Sequence, residues 1–182
     1  ERTTVAMAFA VAQFLDQGDL RGPFPGLQNA ADIAGVLVDP ATGLTTYRLH
    51  NSPNGDETRT EKTFNSLANL LSLCVSDQSE CDTLFFNANS AYVSEADQAT
   101  DTLQAVLNIA HYPSSNLAEV ESQLNLTTPL YSPALSDDDL SDLTAWTLAL
   151  RYVSETDGFN GPANVIFDAE GNALSGEDLF AE

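Results

Sequence analysis

Basic side chains are scarce in this chain. Its 182 residues include six Lys and Arg against 27 Asp and Glu, a formal net charge of −21. A field of that sign repels phosphate backbones, whose non-specific binding depends on neutralisation by Lys and Arg, so nucleic acid is not expected as a partner. An anionic membrane surface is disfavoured for the same reason. Long apolar runs are absent too. The stretch from Val5 to Leu15 is broken by Gln13 and followed by Asp16 and Asp19. It falls short of the roughly 20 residues that a spanning helix needs, so no transmembrane segment is expected. Ahead of it, Glu1 to Thr4 carry a single Arg, which does not match the basic opening of a signal peptide. A chain that opens on Glu1 rather than Met reads as a processed or excised product, with residues missing upstream.

Residues that carry chemistry are few. His50 and His111 are the only histidines. Ser52 and Ser114 lie close to them in sequence, but nothing local supplies the held base and third group of a triad. There is no G-x-S-x-G elbow, no Gly-rich phosphate loop and no H-E-x-x-H. His111 precedes Tyr112-Pro113 at a predicted helix end and reads as a partner for the C-terminal dipole. The expectation is a protein that is not an enzyme and carries no cofactor, calcium excepted as set out below.

Apolar residues and acid are what the chain does have. An apolar fraction of 43% sets it apart from disordered acidic tails, which combine high charge with low hydrophobicity. Its length suits one domain with a sizeable core. The acid is uneven: residues 1–91 hold 11 acidic and five basic side chains, residues 92–182 hold 16 and one. No Lys or Arg stands between Lys62 and Arg151. That stretch cannot form internal salt bridges, so its acids face water, helix N-termini or cations. A solvated face suited to salty surroundings is the simpler reading; cation binding is the sharper one.

Hydrophobic spacing predicts a mainly α fold: an irregular bundle of about six helices in an acidic domain over 1–144, then a short β-rich tail over 145–182. The first helix is expected from Thr3 and Thr4 to about Gln17, ended by Gly18 and the Gly22–Gly26 run. The second places Leu27, Ala30, Ala31, Ala34, Leu37 and Val38 on one side and stops at Pro40. Leu44 to Leu49 reads as a short strand, and Asn51 to Asp56 as a turn. A third helix spans about Glu61 to Val75, burying Phe64, Leu67, Ala68 and Leu71, and a fourth starts near Ser79. The fifth is expected to open at Ser94, with Asp97 completing a capping box, and to run to Ala110. The sixth covers Asn116 to Leu124. Pro129 and Pro133 mark an extended linker, and Ser136 caps an acidic turn at 137–139. In the tail, Trp146, Leu148, Leu150 and Tyr152 alternate like a strand. Val165 to Phe167 and Ala173-Leu174 flank a turn like a hairpin, and Ser175 to Asp178 starts one more helical turn.

Two residue groups invite a chemical reading. Cys74 and Cys81 stand at the junction of two predicted helices, where thiols can converge into a disulfide; two buried thiols in a reduced compartment are the alternative. Asp137, Asp138, Asp139 and Asp142 crowd six positions, a set of oxygens that calcium accepts, while helix capping needs only Ser136 and the dipole. An EF-hand does not fit: counted from Asp168, the Gly falls at position 4 and the twelfth residue is Leu179. Asn125-Leu126-Thr127 matches the glycosylation acceptor pattern, a weak signal by itself.

Several longer segments are distinctive together. They are Gly26-Leu27-Gln28-Asn29-Ala30-Ala31 leading to Leu37-Val38-Asp39-Pro40-Ala41-Thr42-Gly43; Ser52 to Thr58 followed by Thr63 to Leu71 and Cys74; Asp101 to Ala105 with Asn108-Ile109-Ala110 and Pro113; and Trp146 to Leu150, Gly158 to Asn164 and Asp168 to Asn172. From about residue 4 to 172 the chain resembles the helical region that precedes the β-propeller of bacterial NHL-repeat or virginiamycin B lyase-like exported proteins. The resemblance implies an exported location, a Cys74–Cys81 bridge and a tail that opens a propeller blade. It departs after Asn172, where the family continues into a Val/Trp-rich strand and this chain reads Ala-Leu-Ser-Gly-Glu-Asp-Leu. Lyase activity belongs to the complete propeller and does not carry over.

The functional expectation is a secreted or cell-surface bacterial structural or adhesion module whose partner is a protein, copies of itself included. Self-assembly would use the tail through Trp146, Leu148, Leu150, Tyr152, Val165 and Phe167, because an unpaired strand invites addition. The alternatives are the N-terminal piece of a propeller enzyme and a calcium-dependent binding domain.

Overall fold

A computed structural model describes residues 1–16, 19–89, 91–115, 117–125 and 128–151, together with 166–167 and 173–174. The chain divides into two compact units, Glu1–Leu150 and Arg151–Glu182. The first unit is helical, as the periodicity predicts. Its helices are α1 (Arg2–Val11), α2 (Phe24–Leu37), α3 (Tyr47–His50), α4 (Thr60–Ser76), α5 (Gln78–Ala88), α6 (Thr102–His111), α7 (Leu117–Leu124) and α8 (Asp137–Leu140). Among the described residues none is long and apolar enough to cross a membrane.

Helix α4 is the hub. It packs against α1, α3, α5, α6 and α7, while α1 also meets α2 and α6. Phe64, Leu67, Leu70 and Leu71 of α4 join Val5 and Ala8 of α1, Leu84 of α5, Val106 and Leu107 of α6, and Trp146 in one buried cluster. Ala6, Ala8 and Ala10 are buried along α1, and side chains this small let neighbouring helices approach closely. Short side chains set the helix starts. Asp77 accepts from the Ser79 N–H to open α5, and Asp101 does the same for Gln104 at α6. Ser136 and Asp139 form a reciprocal capping box on α8.

Several sequence expectations give way to local structure. Helix α1 ends at Val11 rather than about Gln17, and Leu15–Asp16 (β1) pairs antiparallel with Asp19–Leu20 (β2) in a minimal hairpin. Asp16 and Asp19 favour turns over helix. The Phe14 ring settles over Gly22, where a Cβ would stand 2.7 Å from it. Pro25 opens α2 instead of preceding it, since a proline is tolerated in the first helical turn. Ala31 of that helix is exposed and Ile33 is half-buried, so the core-facing stripe is rotated from the expected one. The Leu44–Leu49 strand is reduced to a single bridge, Val38 to Thr45. The chain then turns into α3, anchored by the fully buried Leu49. The expected fifth helix is two elements: a 3₁₀ turn at Glu95–Asp97, in which the Ser94 hydroxyl bonds the Asp97 carboxylate, and α6 with its own cap.

Residues 145–151 form no strand. Trp146 is 1% exposed, a core residue, and Leu148 and Leu150 pack partly against the same cluster. Their alternation records burial against helices rather than sheet pairing. In the second unit Ile166–Phe167 (β3) pairs with Ala173–Leu174 (β4), Ile166 opposite Leu174 and Phe167 opposite Ala173. Tyr152, Val165, the predicted turn at 158–162, the loop at 168–172 and the predicted helical start at 175–178 lie outside the described residues.

Candidate functional site

The first feature is a polar face on α4. Thr60, Thr63, Asn65, Ser66 and Asn69 are all buried, and each bonds the backbone of the segment 131–149. Asn69 donates to the Tyr131 carbonyl at 2.9 Å and accepts from the Tyr131 N–H at 2.8 Å. Asn65 donates to the Pro133 carbonyl at 2.9 Å, and the Leu135 N–H donates to Ser66 Oγ at 2.9 Å. Thr63 and Thr60 hydroxyls donate to the carbonyls of Ala145 and Ala149 at 2.6 and 2.7 Å. A non-helical segment drawn against a core brings unpaired backbone groups with it, and those groups need partners. The short polar side chains of α4 are those partners. Their spacing in the sequence gives no sign that a strap lies on that side.

The acidic cluster sits on the same strap. Asp139 accepts from Lys62 Nζ at 2.9 Å and from the Ser136 N–H at 3.0 Å. Burial alone would raise its carboxyl. The hydrogen bonds from the Ser136 backbone and from Lys62 outweigh that and hold it at about 2. Asp142 accepts from Arg59 at 3.0 Å and from the Thr144 N–H and hydroxyl at 2.8 Å; these bonds, that from the Thr144 N–H first, hold its carboxyl below the ordinary value. Asp137 and Asp138 are exposed. The basic partners that the stretch after Lys62 lacks are thus supplied by the first turn of α4 and the residue before it. Two of the four carboxylates are neutralised by protein cations, which does not fit a calcium cage. Among the described residues no group of three or more His, Cys, Asp or Glu is placed to hold a metal ion.

Cys74 and Cys81 are joined in a disulfide across the α4–α5 corner, with Asp77 capping α5 inside the closed loop. Two cysteines meet here because α4 ends at Ser76 and α5 starts at Gln78. Of the tail residues proposed for an interface, Trp146 is enclosed in the core and Leu148 and Leu150 are half-buried. Phe167 lies in β3, and Tyr152 and Val165 are outside the described residues.

A second polar constellation was not legible in the sequence. The His50 ring, on α3, lies with Nε2 2.5 Å from the Thr45 hydroxyl, and its Nδ1 contacts the carboxylate of Glu61 in the first turn of α4. The Glu61 side chain is 5% exposed and that of His50 46%. Ser52, the neighbour suggested by sequence, bonds Glu57 instead. Nothing in the spacing of 45, 50 and 61 marks the group, because a strand-like bridge, a single helical turn and a long helix bring it together. Beyond Glu61, Arg2 donates to Asn65 Oδ1 at 3.0 Å and stacks over the Tyr131 ring, whose hydroxyl donates to Glu1. Burial lowers the Arg2 pKa and raises that of Tyr131. His111, expected as a dipole partner, places Nε2 2.5 Å from the Ala12 carbonyl just past α1.

Comparison with protein-family models, curated proteins and solved structures finds no match to this chain.

Proposed function

We propose that this chain is a secreted or cell-surface structural module of a bacterium, acting by contact with another protein, copies of itself included. One observation carries the reading: the polar side chains enclosed along α4 hold the chain's own backbone. Thr60, Thr63, Asn65, Ser66 and Asn69 fasten the strap 131–149 along one helix, which makes a stiff body of the kind a scaffold needs. The Cys74–Cys81 bridge supports an oxidising location outside the cytosol. The net charge of −21 supports a soluble, salt-tolerant surface that avoids nucleic acid.

Three measurements test it. Protease treatment of intact producing cells should digest the protein, and intact mass after alkylation without reductant should show no free thiol. A protease-protected protein with two reactive thiols overturns the exported assignment. Light scattering across concentration at high salt should show a mass above that of one chain; a strict monomer at the highest concentration removes self-assembly and leaves a different protein as the partner.

A further inference from the structure

The Thr45–His50–Glu61 group has a chemical capacity that the structural role does not use. A hydroxyl at one imidazole nitrogen and a carboxylate at the other is the arrangement by which a weak oxygen nucleophile is activated. The Glu61 carboxylate lies against Nδ1, and Nε2 stands 2.5 Å from the Thr45 hydroxyl, where it can take that proton. We propose that Thr45, His50 and Glu61 form an acyl-transfer centre for small carboxylic esters, with Thr45 as nucleophile, His50 as general base and Glu61 as the positioning residue.

Three elements fix the group independently. Thr45 is held by its bridge to Val38. His50 closes α3, and its backbone is pressed by the turn at Gly55, where a Cβ would overlap the His50 carbonyl. Glu61 is locked in α4, with a side chain 5% exposed. A buried carboxylate acts on the ring beside it with little screening by water. The imidazole is nearly half exposed and Thr45 is partly exposed, so a small solute reaches the hydroxyl.

The step balances without a co-reactant beyond ester and water. Thr45 Oγ1 attacks the ester carbonyl carbon as its proton passes to His50 Nε2. The bond from that carbon to the leaving oxygen breaks; the alcohol departs with the proton, or leaves as a stable anion while His50 Nε2 passes the proton to water. The product is O-acyl-Thr45. Water attacks that ester next, His50 takes its proton, and the carboxylic acid leaves with the Thr45 hydroxyl restored.

The test uses the whole disulfide-bonded chain and p-nitrophenyl acetate. Release of p-nitrophenolate should be accompanied by a gain of one acetyl group in intact mass, mapped to the peptide that contains Thr45. Thr45→Ala should remove the adduct and Thr45→Ser should retain it. His50→Gln should slow release about 100-fold. Glu61→Gln should slow release, and Glu61→Asp, which restores a carboxylate at that position, should recover part of the rate. Arg2 of α1, which interacts electrostatically with Glu61, stays in place as the opposing charge. Far-UV circular dichroism verifies the fold of each variant, and Thr45→Ser keeps the assignment testable if Thr45→Ala unfolds. Acetyl confined to Lys62 and the terminal amine overturns the proposal. So does an unchanged rate in folded Thr45→Ala, or dependence on His50 without Thr45.

Discussion

Replacing Asp139 by asparagine, Asp139→Asn, keeps the size of the side chain and its capping oxygen but removes the charge that Lys62 faces. The magnitude follows from the carboxyl, whose ordinary value of 3.8 is lowered to about 2 in the fold. At about 1.36 kcal/mol per pH unit, that gap bounds the contribution at about 2.4 kcal/mol. The Asp139 side chain is 15% exposed, but its partner Lys62 is 39% exposed, and water reaching the ammonium screens the pair. A discounted figure of about 1 to 1.5 kcal/mol is expected at pH 7. A carboxyl depressed in the folded state stabilises fully above its ordinary value and loses that effect as pH falls toward its folded one. The contribution is therefore complete above about pH 5, roughly halved near pH 3 and small by pH 2. Urea unfolding of parent and variant at pH 7 and pH 3 measures this as a difference in midpoint at constant slope. The gap between the two proteins should narrow by about half at the lower pH. An equal loss at both pH values would place the effect in packing or capping rather than charge, and no loss at pH 7 would sink the reasoning outright.

Other perturbations test the same frame. Asn69→Ala strands the Tyr131 N–H and carbonyl beside the buried α4 face. The cost should be about 2 to 4 kcal/mol by chemical denaturation, with raised amide exchange at Tyr131. Trp146→Ala should cost about 3 to 5 kcal/mol, whereas truncating the exposed Phe86 should stay within about 0.5 kcal/mol; similar losses at both would contradict the core placement of Trp146. Opening the bridge with Cys74→Ser and Cys81→Ser together should lower stability by roughly 2 to 3 kcal/mol, as expected for so short a closed loop. An unchanged midpoint would show that the α4–α5 corner is held without it.

The amino-acid pattern alone settles the local features of this protein. Helical spacing in 61–75 and the acidic start of 116–124 predict α4 and α7 within a residue or two. Ser136 ahead of the acidic turn 137–139 predicts the cap of α8, because a cap is made within one turn of the chain. The pairing of Cys74 with Cys81 is legible for a similar reason: the two stand on either side of one helix junction. What only the tertiary structure decides is every arrangement between residues far apart in sequence. Trp146, Leu148 and Leu150 alternate like a strand, and only the helices around Trp146 turn that alternation into burial. The polar residues of α4 look solvated until a strap 62 to 89 positions away lays its backbone on them. Lys62 and Arg59 reach an acidic turn that has no basic residue of its own nearby in sequence. Thr45, His50 and Glu61 meet because three separate elements converge. Helix, turn and cap follow from interactions within a few residues, which sequence spacing encodes directly. The contacts that join α4 to the strap and α3 to α4 depend on how closed helices stack, and no short-range pattern records that.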